Sequence, residues 1–211
     1  MFTGIIKSVG TITEVIKKNE LLEITITSNL ESNHLNIGDS VSVEGICSTI
    51  VSHKNKELTF QYMPETISKT SVSSWEKGTK VNLEPSLSME DAVSGHFVSG
   101  HIDATGTIKS IKTSESTKEI EIAYPKELRK FIALKGSVSI DGISLTVSML
   151  EPSTFSVSLI PHTTEHTTLG AKKEGDLVNI EIDMLSRYLK QLFDARDEET
   201  SYEYLKERGF I

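Results

Sequence analysis

The chain has one cysteine, Cys47, in 211 residues. That excludes an internal disulfide framework. It also argues against a zinc centre, which needs three or four Cys, His or carboxylate ligands set close together. Clustered Lys and Arg are missing too. The 22 basic residues are outnumbered by 30 acidic ones, for a net charge of -8, and no basic run could follow a phosphate backbone. Nucleic acid is therefore not expected as a partner. No apolar run reaches the roughly 18 residues that cross a membrane, and no charged-then-apolar leader opens the chain. A dinucleotide-binding Gly-x-Gly-x-x-Gly turn after a strand is absent, which argues against a flavin-dependent reductase barrel. The expectation that remains is a cytoplasmic globular protein with no membrane partner, long enough for two domains of about a hundred residues.

What the sequence does have is a repeat. Phe2-Thr3-Gly4-Ile5-Ile6-Lys7-Ser8-Val9-Gly10-Thr11-Ile12 lies without a gap over Val98-Ser99-Gly100-His101-Ile102-Asp103-Ala104-Thr105-Gly106-Thr107-Ile108. The offset holds, within one residue, for three further blocks. Val41 to Ile50 matches Val138 to Val147, Met63-Pro64-Glu65-Thr66 matches Ile160-Pro161-His162-Thr163, and Val81-Asn82-Leu83-Glu84 matches Val178-Asn179-Ile180-Glu181. A repeat this long exceeds the ~20–50 residues of a solenoid unit and reads as a whole domain. The expected units are residues 1–97 and 98–184, followed by 185–211.

Within each copy the β-branched residues alternate in short runs separated by turn residues, as half-buried strands do. The first copy's runs are Ile5 to Val15, Leu21 to Thr27, Val41 to Val43, Cys47 to Val51, Leu58 to Gln61 and Val81 to Leu83. The second copy's are His101 to Ile111, Lys118 to Ile122, Val138 to Ile140, Ser144 to Leu150, Thr154 to Leu159 and Leu177 to Ile182. Six short strands per copy predict a small antiparallel barrel or sandwich. Asn19-Glu20 and His53-Lys54-Asn55-Lys56 read as turns, Asn29 to Asp39 as a polar crossover with one helical turn, and Pro85 to Ser94 as a polar linker. Met63 to Thr66 opens an irregular passage, and Pro125 to Leu134 reads as a short helix. After Asp183 the period changes: Leu185, Tyr188, Leu189, Leu192 and Phe193 mark one face of an α-helix. That stripe packs on a barrel or on copies of itself, and association is the expectation. The charged tail from Asp197 reads as frayed or weakly helical.

Gly, Ser and Thr at matched strand ends suggest ligand cradles, since Gly admits close backbone approach and hydroxyls orient a ligand. Gly45 and Gly142 are either part of such cradles or ordinary turn glycines. His96, His101, His162 and His166 are scattered, so no metal site is expected. His101 stands where the first copy has Ile5, which makes it a candidate proton carrier. Cys47 is a candidate nucleophile or a strand-packed thiol, with no adjacent base in sequence to activate it.

Met1-Phe2-Thr3-Gly4-Ile5-Ile6, Gly95-His96-Phe97-Val98-Ser99-Gly100-His101, Asp141-Gly142-Ile143-Ser144-Leu145-Thr146-Val147 and Val178-Asn179-Ile180-Glu181-Ile182-Asp183 together resemble the riboflavin synthase family over the whole chain. The resemblance implies an all-β fold of two tandem six-stranded antiparallel closed β-barrels, plus a C-terminal α-helix that joins three chains into a homotrimer. It implies dismutation of two 6,7-dimethyl-8-ribityllumazine molecules into riboflavin and 5-amino-6-ribitylaminouracil, without metal or redox cofactor. An association with lumazine synthase is not readable from the sequence.

Carried over by position, the first repeat binds one lumazine through Gly4, Ile5, Ile6, Cys47, Ser48, Thr49, Gln61, Tyr62, Met63, Pro64, Glu65, Thr66, Gly100, His101 and Ile102. The second uses Lys135, Ser144, Leu145, Thr146, Ser158, Leu159, Ile160, Pro161, His162 and Thr163. The family's catalytic site forms between one chain's first barrel and a neighbour's second. Its polar participants correspond to Ser40, Cys47, His101, Ser144, Thr146 and Asp183, with Phe2 at the amino end. Asp183 reads equally as a helix cap. Two departures, Ser48 in place of a leucine and Glu44 in place of Asn or Asp, read as changes at the edge of a pocket wall. A non-catalytic lumazine- or flavin-binding protein on the same barrels is the rival reading, and Ser40, Cys47 and His101 favour the enzyme.

Overall fold

The computed structural model describes residues 1–30, 35–199 and 206. The first copy closes into a six-stranded barrel: β1 (Ser8–Lys18), β2 (Leu21–Thr27), β3 (Ser40–Val43), β4 (Ile46–Lys54), β5 (Glu57–Tyr62) and β6 (Lys80–Pro85), hydrogen-bonded in the order β1-β2-β5-β4-β3-β6. The second closes identically in β7 (Ala104–Thr113), β8 (Lys118–Ala123), β9 (Ser137–Ile140), β10 (Ile143–Leu150), β11 (Thr154–Leu159) and β12 (Leu177–Ile182). All pairings are antiparallel, so each barrel hides its strand edges by closure. Alternation does what the pattern predicts. Ile12, Ile24, Ile26, Val41, Phe60 and Leu83 fill the first barrel, and Ile108, Ile120, Ile122, Val138, Phe155 and Ile180 fill the second.

The structure moves several expected boundaries. The opening stretches Ile5–Lys7 and His101–Asp103 are not strand; β1 starts at Ser8 and β7 at Ala104. The β4–β5 turn shrinks to Asn55-Lys56, with Asn55 at φ +55°. Met63 to Thr66 is not irregular: Pro64 begins α1 (Pro64–Lys69), and Pro161 begins its counterpart α2 (Pro161–His166). Proline fits the first helical turn because its missing N–H has no partner there anyway, a signal present in both copies. The helix expected over Pro125–Leu134 is a 3-10 turn at Lys126–Phe131. Residues 31–34, in the middle of the Asn29–Asp39 crossover where one helical turn is expected, and most of the tail after 199 lie outside the described residues.

Helix α3 (Met184–Glu199) follows β12 directly. Among the described residues nothing covers its stripe: Leu185, Tyr188, Leu189, Leu192 and Phe193 are 55–69% exposed. No described helix is long and apolar enough to cross a membrane.

The barrels meet along a pseudo-twofold seam built from the repeated polar blocks. Asn82 Nδ2 donates to the Asp141 carbonyl (3.0 Å), and Asn179 Nδ2 donates to the Glu44 carbonyl (2.9 Å). The Asn82 side chain also accepts from Thr168 N, and that of Asn179 from Ser71 N, both at 2.8 Å. Glu44-Gly45 and Asp141-Gly142 form matched left-handed turns here. A Cβ on Gly45 would lie 2.7 Å from Gly142 N, so only glycine permits this approach. Glu44 thus lies in the seam and not on a pocket wall, and both carboxyls are buried around Lys172, 3.8 Å from Glu44 and 3.2 Å from Asp141.

Candidate functional site

Each repeat's opening segment leaves its own barrel and lies against the other one. Glu84 on β6 holds Thr3 and Gly4, accepting from Thr3 N and Oγ1 (2.7 Å each) and Gly4 N (3.0 Å). The Gly4 carbonyl then accepts from Ser144 N at 2.8 Å, on β10 of the second barrel, and Ile6 packs on that barrel's core. The mirror arrangement has Glu181 accepting from Ser99 N, Ser99 Oγ and Gly100 N. The Gly100 carbonyl accepts from Cys47 N at 2.9 Å, and Ile102 packs on the first core. Burial raises the pKa of both Glu84 and Glu181, and the hydrogen bonds from the held segments oppose it.

This crossing corrects one grouping. Gly4, Ile5 and Ile6 do not join the first repeat's candidate residues; they lie at the second. The first mouth therefore comprises Cys47 and Thr49 on β4, Gly100–Ile102 laid beside them, and Gln61–Thr66 where β5 runs into α1. Ser40 pairs with Thr49 across β3–β4. The second comprises Ser144 and Thr146 on β10, Gly4–Ile6, Ser158–Thr163 where β11 runs into α2, and Lys135, whose N–H donates to the Val147 carbonyl at 2.9 Å. Thr49, Gln61, Met63, Pro64, Glu65, His101, Lys135, Thr146, Ser158, Ile160, Pro161 and His162 are all exposed, so each mouth is an open rim.

Several expected residues lie behind the rims. Phe2 is fully buried and pairs by backbone with Val98, so its side chain anchors the crossing segment instead of facing a ligand. Leu159 is fully buried, and Leu145 packs on the second core. Ser48 is buried too, with its hydroxyl 3.0 Å from both the Tyr62 hydroxyl and the Ile46 carbonyl. Ser48 and Tyr62 replace Leu145 and Leu159 of the second copy, a small-plus-large pair for two mid-sized residues, and the hydrogen bond satisfies both hydroxyls. Burial drives the Tyr62 pKa upward, keeping the phenol neutral.

The residue that sequence reasoning left out of the site is His96. It is buried, and its Nδ1 lies 2.7 Å from Ser144 Oγ. Its Nε2 is buried without a hydrogen-bond partner among the described residues. Burial lowers its pKa, with Asp183 opposing, so the imidazole is neutral near pH 7 and can accept a proton. Gly95 permits the approach, since a Cβ there would meet Thr3 O at 2.1 Å and Ser144 Oγ at 3.0 Å. Asp183 serves as cap as well: its Oδ1 accepts from Leu185 N at 3.0 Å at the start of α3. The two mouths thus differ in chemistry. At the first, Cys47 is tied by its backbone to Gly100, the residue before His101, and at the second the Ser144 hydroxyl meets the His96 ring.

Two closed barrels that exchange their opening segments, each ending in a Gly-, Ser- and Thr-lined rim, define a tandem-barrel protein with two like mouths. Residues 3–86 and 99–183 each match the family described as Lumazine binding domain. Riboflavin synthase of Actinobacillus pleuropneumoniae is 38% identical over 215 residues, and that of Bacillus subtilis (strain 168) 37%, each covering all of both chains. The chain belongs to the riboflavin synthase family. Among solved structures, LumP complexed with riboflavin superposes with a TM-score of 0.80 at 25% identity, covering 86% of this chain and 99% of that one.

Proposed function

We propose that the chain catalyses the dismutation of two 6,7-dimethyl-8-ribityllumazine molecules, one giving up a four-carbon unit to the other. The products are riboflavin and 5-amino-6-ribitylaminouracil. The atoms of two lumazines equal those of the two products, so no oxidant or reductant is consumed. The observation that carries this reading is the pair of like rims with unlike proton-handling groups. Two copies of one molecule need two similar cradles, while donor and acceptor need different chemistry.

In this reading lumazine at the first mouth lies along Cys47, Thr49, Gly100–Ile102 and Gln61–Thr66. At the second it lies along Ser144, Thr146, Gly4–Ile6 and Ser158–Thr163. An imidazole takes a proton from the acidified ring methyl while Ser144 or Cys47 assists addition at the ring carbon. Ser40 and Thr146 orient the ring. Units 1–97 and 98–184 bring the two mouths, and segment 185–211 assembles three chains in the cytoplasm so that the first mouth of one faces the second mouth, with Lys135, of another. Holding both reactants replaces a dilute encounter and can contribute roughly 7–11 kcal/mol of barrier reduction.

Incubating pure protein with the lumazine as sole substrate tests the reading, with riboflavin fluorescence as readout. Binding without riboflavin would favour the second reading, a flavin- or lumazine-carrying protein, to which the likeness to riboflavin-bound LumP lends weight.

A further inference from the structure

The repeats differ at a matched place on the two rims, in α1 and α2, to which the proposed reaction assigns no proton transfer. In α1 the positions four apart, Glu65 and Lys69, form a 2.7 Å ion pair. The matching residues of α2 are His162 and His166. Both are exposed, and their rings stack, with centroids 4.3 Å apart and planes 25° apart. Nδ1 of His166 lies 2.9 Å from the His162 carbonyl oxygen. A carbonyl only accepts, so Nδ1 carries the proton and Nε2 of the neutral ring keeps its lone pair. Metal-binding histidines are held in this way, one ring nitrogen donating to a backbone carbonyl while the other is left for the ion.

We propose that His162 and His166 form a two-imidazole site for a borderline divalent cation of the zinc and copper class, at the rim of the second mouth. Two histidines at i and i+4 on one helical face is the spacing that zinc-binding helices use, and imidazole is a ligand both metals favour. On binding, the rings turn from their stack so that the lone pairs converge, and water completes the coordination. Among the described residues no group of three or more His, Cys, Asp or Glu is placed to hold a metal. The ion is therefore loosely held and exchangeable, unlike a three- or four-ligand resident metal. Its position gives it an effect. Ser158–Thr163 run into α2, so an ion bridging His162 to His166 restrains that rim and slows lumazine binding there. This second half rests on the proposed function.

Calorimetric titration of Zn2+ into the full chain at neutral pH reads the site directly. The double variant His162→Glu/His166→Lys installs the ion pair that α1 already carries, so the helix is preserved. It should bind zinc at least roughly tenfold more weakly than wild type. Paramagnetic resonance with Cu2+ should show two imidazole nitrogens in wild type and one in His166→Ala. Zinc should slow riboflavin formation by wild type but not by His166→Ala, whose zinc-free rate is unchanged. Equal zinc affinity in wild type and the double variant overturns the site, as does a loss of binding that follows His101→Ala instead. Zinc binding with undiminished turnover overturns the inhibitory half. A two-nitrogen copper signal from protein that makes no riboflavin upholds the site and counts against the reaction alone.

Discussion

Glu44 sits at φ +48°, a left-handed turn position that Asn, Asp or Gly adopts more readily than Glu. The seam holds two carboxyls against one ammonium, so one proton must stay for the charges to cancel. Burial first, then the neighbouring Asp141, pushes the Glu44 pKa well up, against Lys172. Folding therefore takes up a proton at pH values where unfolded Glu44 has lost it. Stability should fall as pH rises from the ordinary carboxylate range of ~4.3 toward the raised value, then level off. Glu44→Gln keeps the acceptor for Asn82 N and Thr168 Oγ1 and supplies a neutral donor toward Asp141. Denaturant midpoints measured across that range should fall less steeply in the variant, with Glu84 and Glu181 leaving some slope. Parallel profiles would mean that the seam holds no extra proton.

The histidines make a second test at this scale. His101→Ala should lower turnover far more than lumazine affinity. His96→Gln should do the same while also shifting the acid limb of the rate profile, because His96 is the neutral, buried partner of Ser144. A rate and profile unchanged in both would return these side chains to packing roles. His101 stood out as a candidate because the repeat put an imidazole opposite Ile5. His96 did not, because its 2.7 Å approach to Ser144, 48 residues away, is created only by the folded barrels. Glu44 misled for a related reason: strand patterning places a residue in a turn but does not say what the turn packs on.

At the scale of elements, the repeat offset and the strand alternation together disclosed both barrels. They did not disclose the crossing, because Gly4 and Gly100 occupy matching sequence positions whether each stays home or visits its neighbour. A Cβ on Gly4 would lie 2.6 Å from the Cβ of Ser144 at φ +76°, and one on Gly100 2.6 Å from that of Cys47 at φ +82°. Alanine at either position should destabilise by on the order of 2 kcal/mol or more, read by denaturation. Fluorescence titration should find Gly4→Ala weakening the second mouth and Gly100→Ala the first. Effects on the opposite mouths would mean that the rims are grouped by repeat after all.

At the scale of the whole molecule, α3 leaves five large apolar side chains in water. Burying each contributes roughly 1.5–3 kcal/mol, so association is strongly favoured over exposure. Truncation after Asp183 should give folded, lumazine-binding monomers with little activity, because the composite site is lost with the assembly. Sedimentation and turnover check the two halves separately. A truncated protein that stays trimeric and active would mean that assembly uses another surface. The stripe itself was plain in the spacing from Leu185 to Phe193, whereas the surface proposed to receive it, on another chain, leaves no mark on this helix.

The exchange of opening segments also puts a clock on the polypeptide as it is made. The first barrel's strands are all synthesised once Pro85 has emerged, yet Phe2 must wait for Val98, and Gly4 for Ser144, 140 residues later in the chain. Until then the amino terminus lacks its partner: Glu84 is available to hold Thr3 and Gly4, while the core that Ile6 packs on belongs to a barrel still to be made.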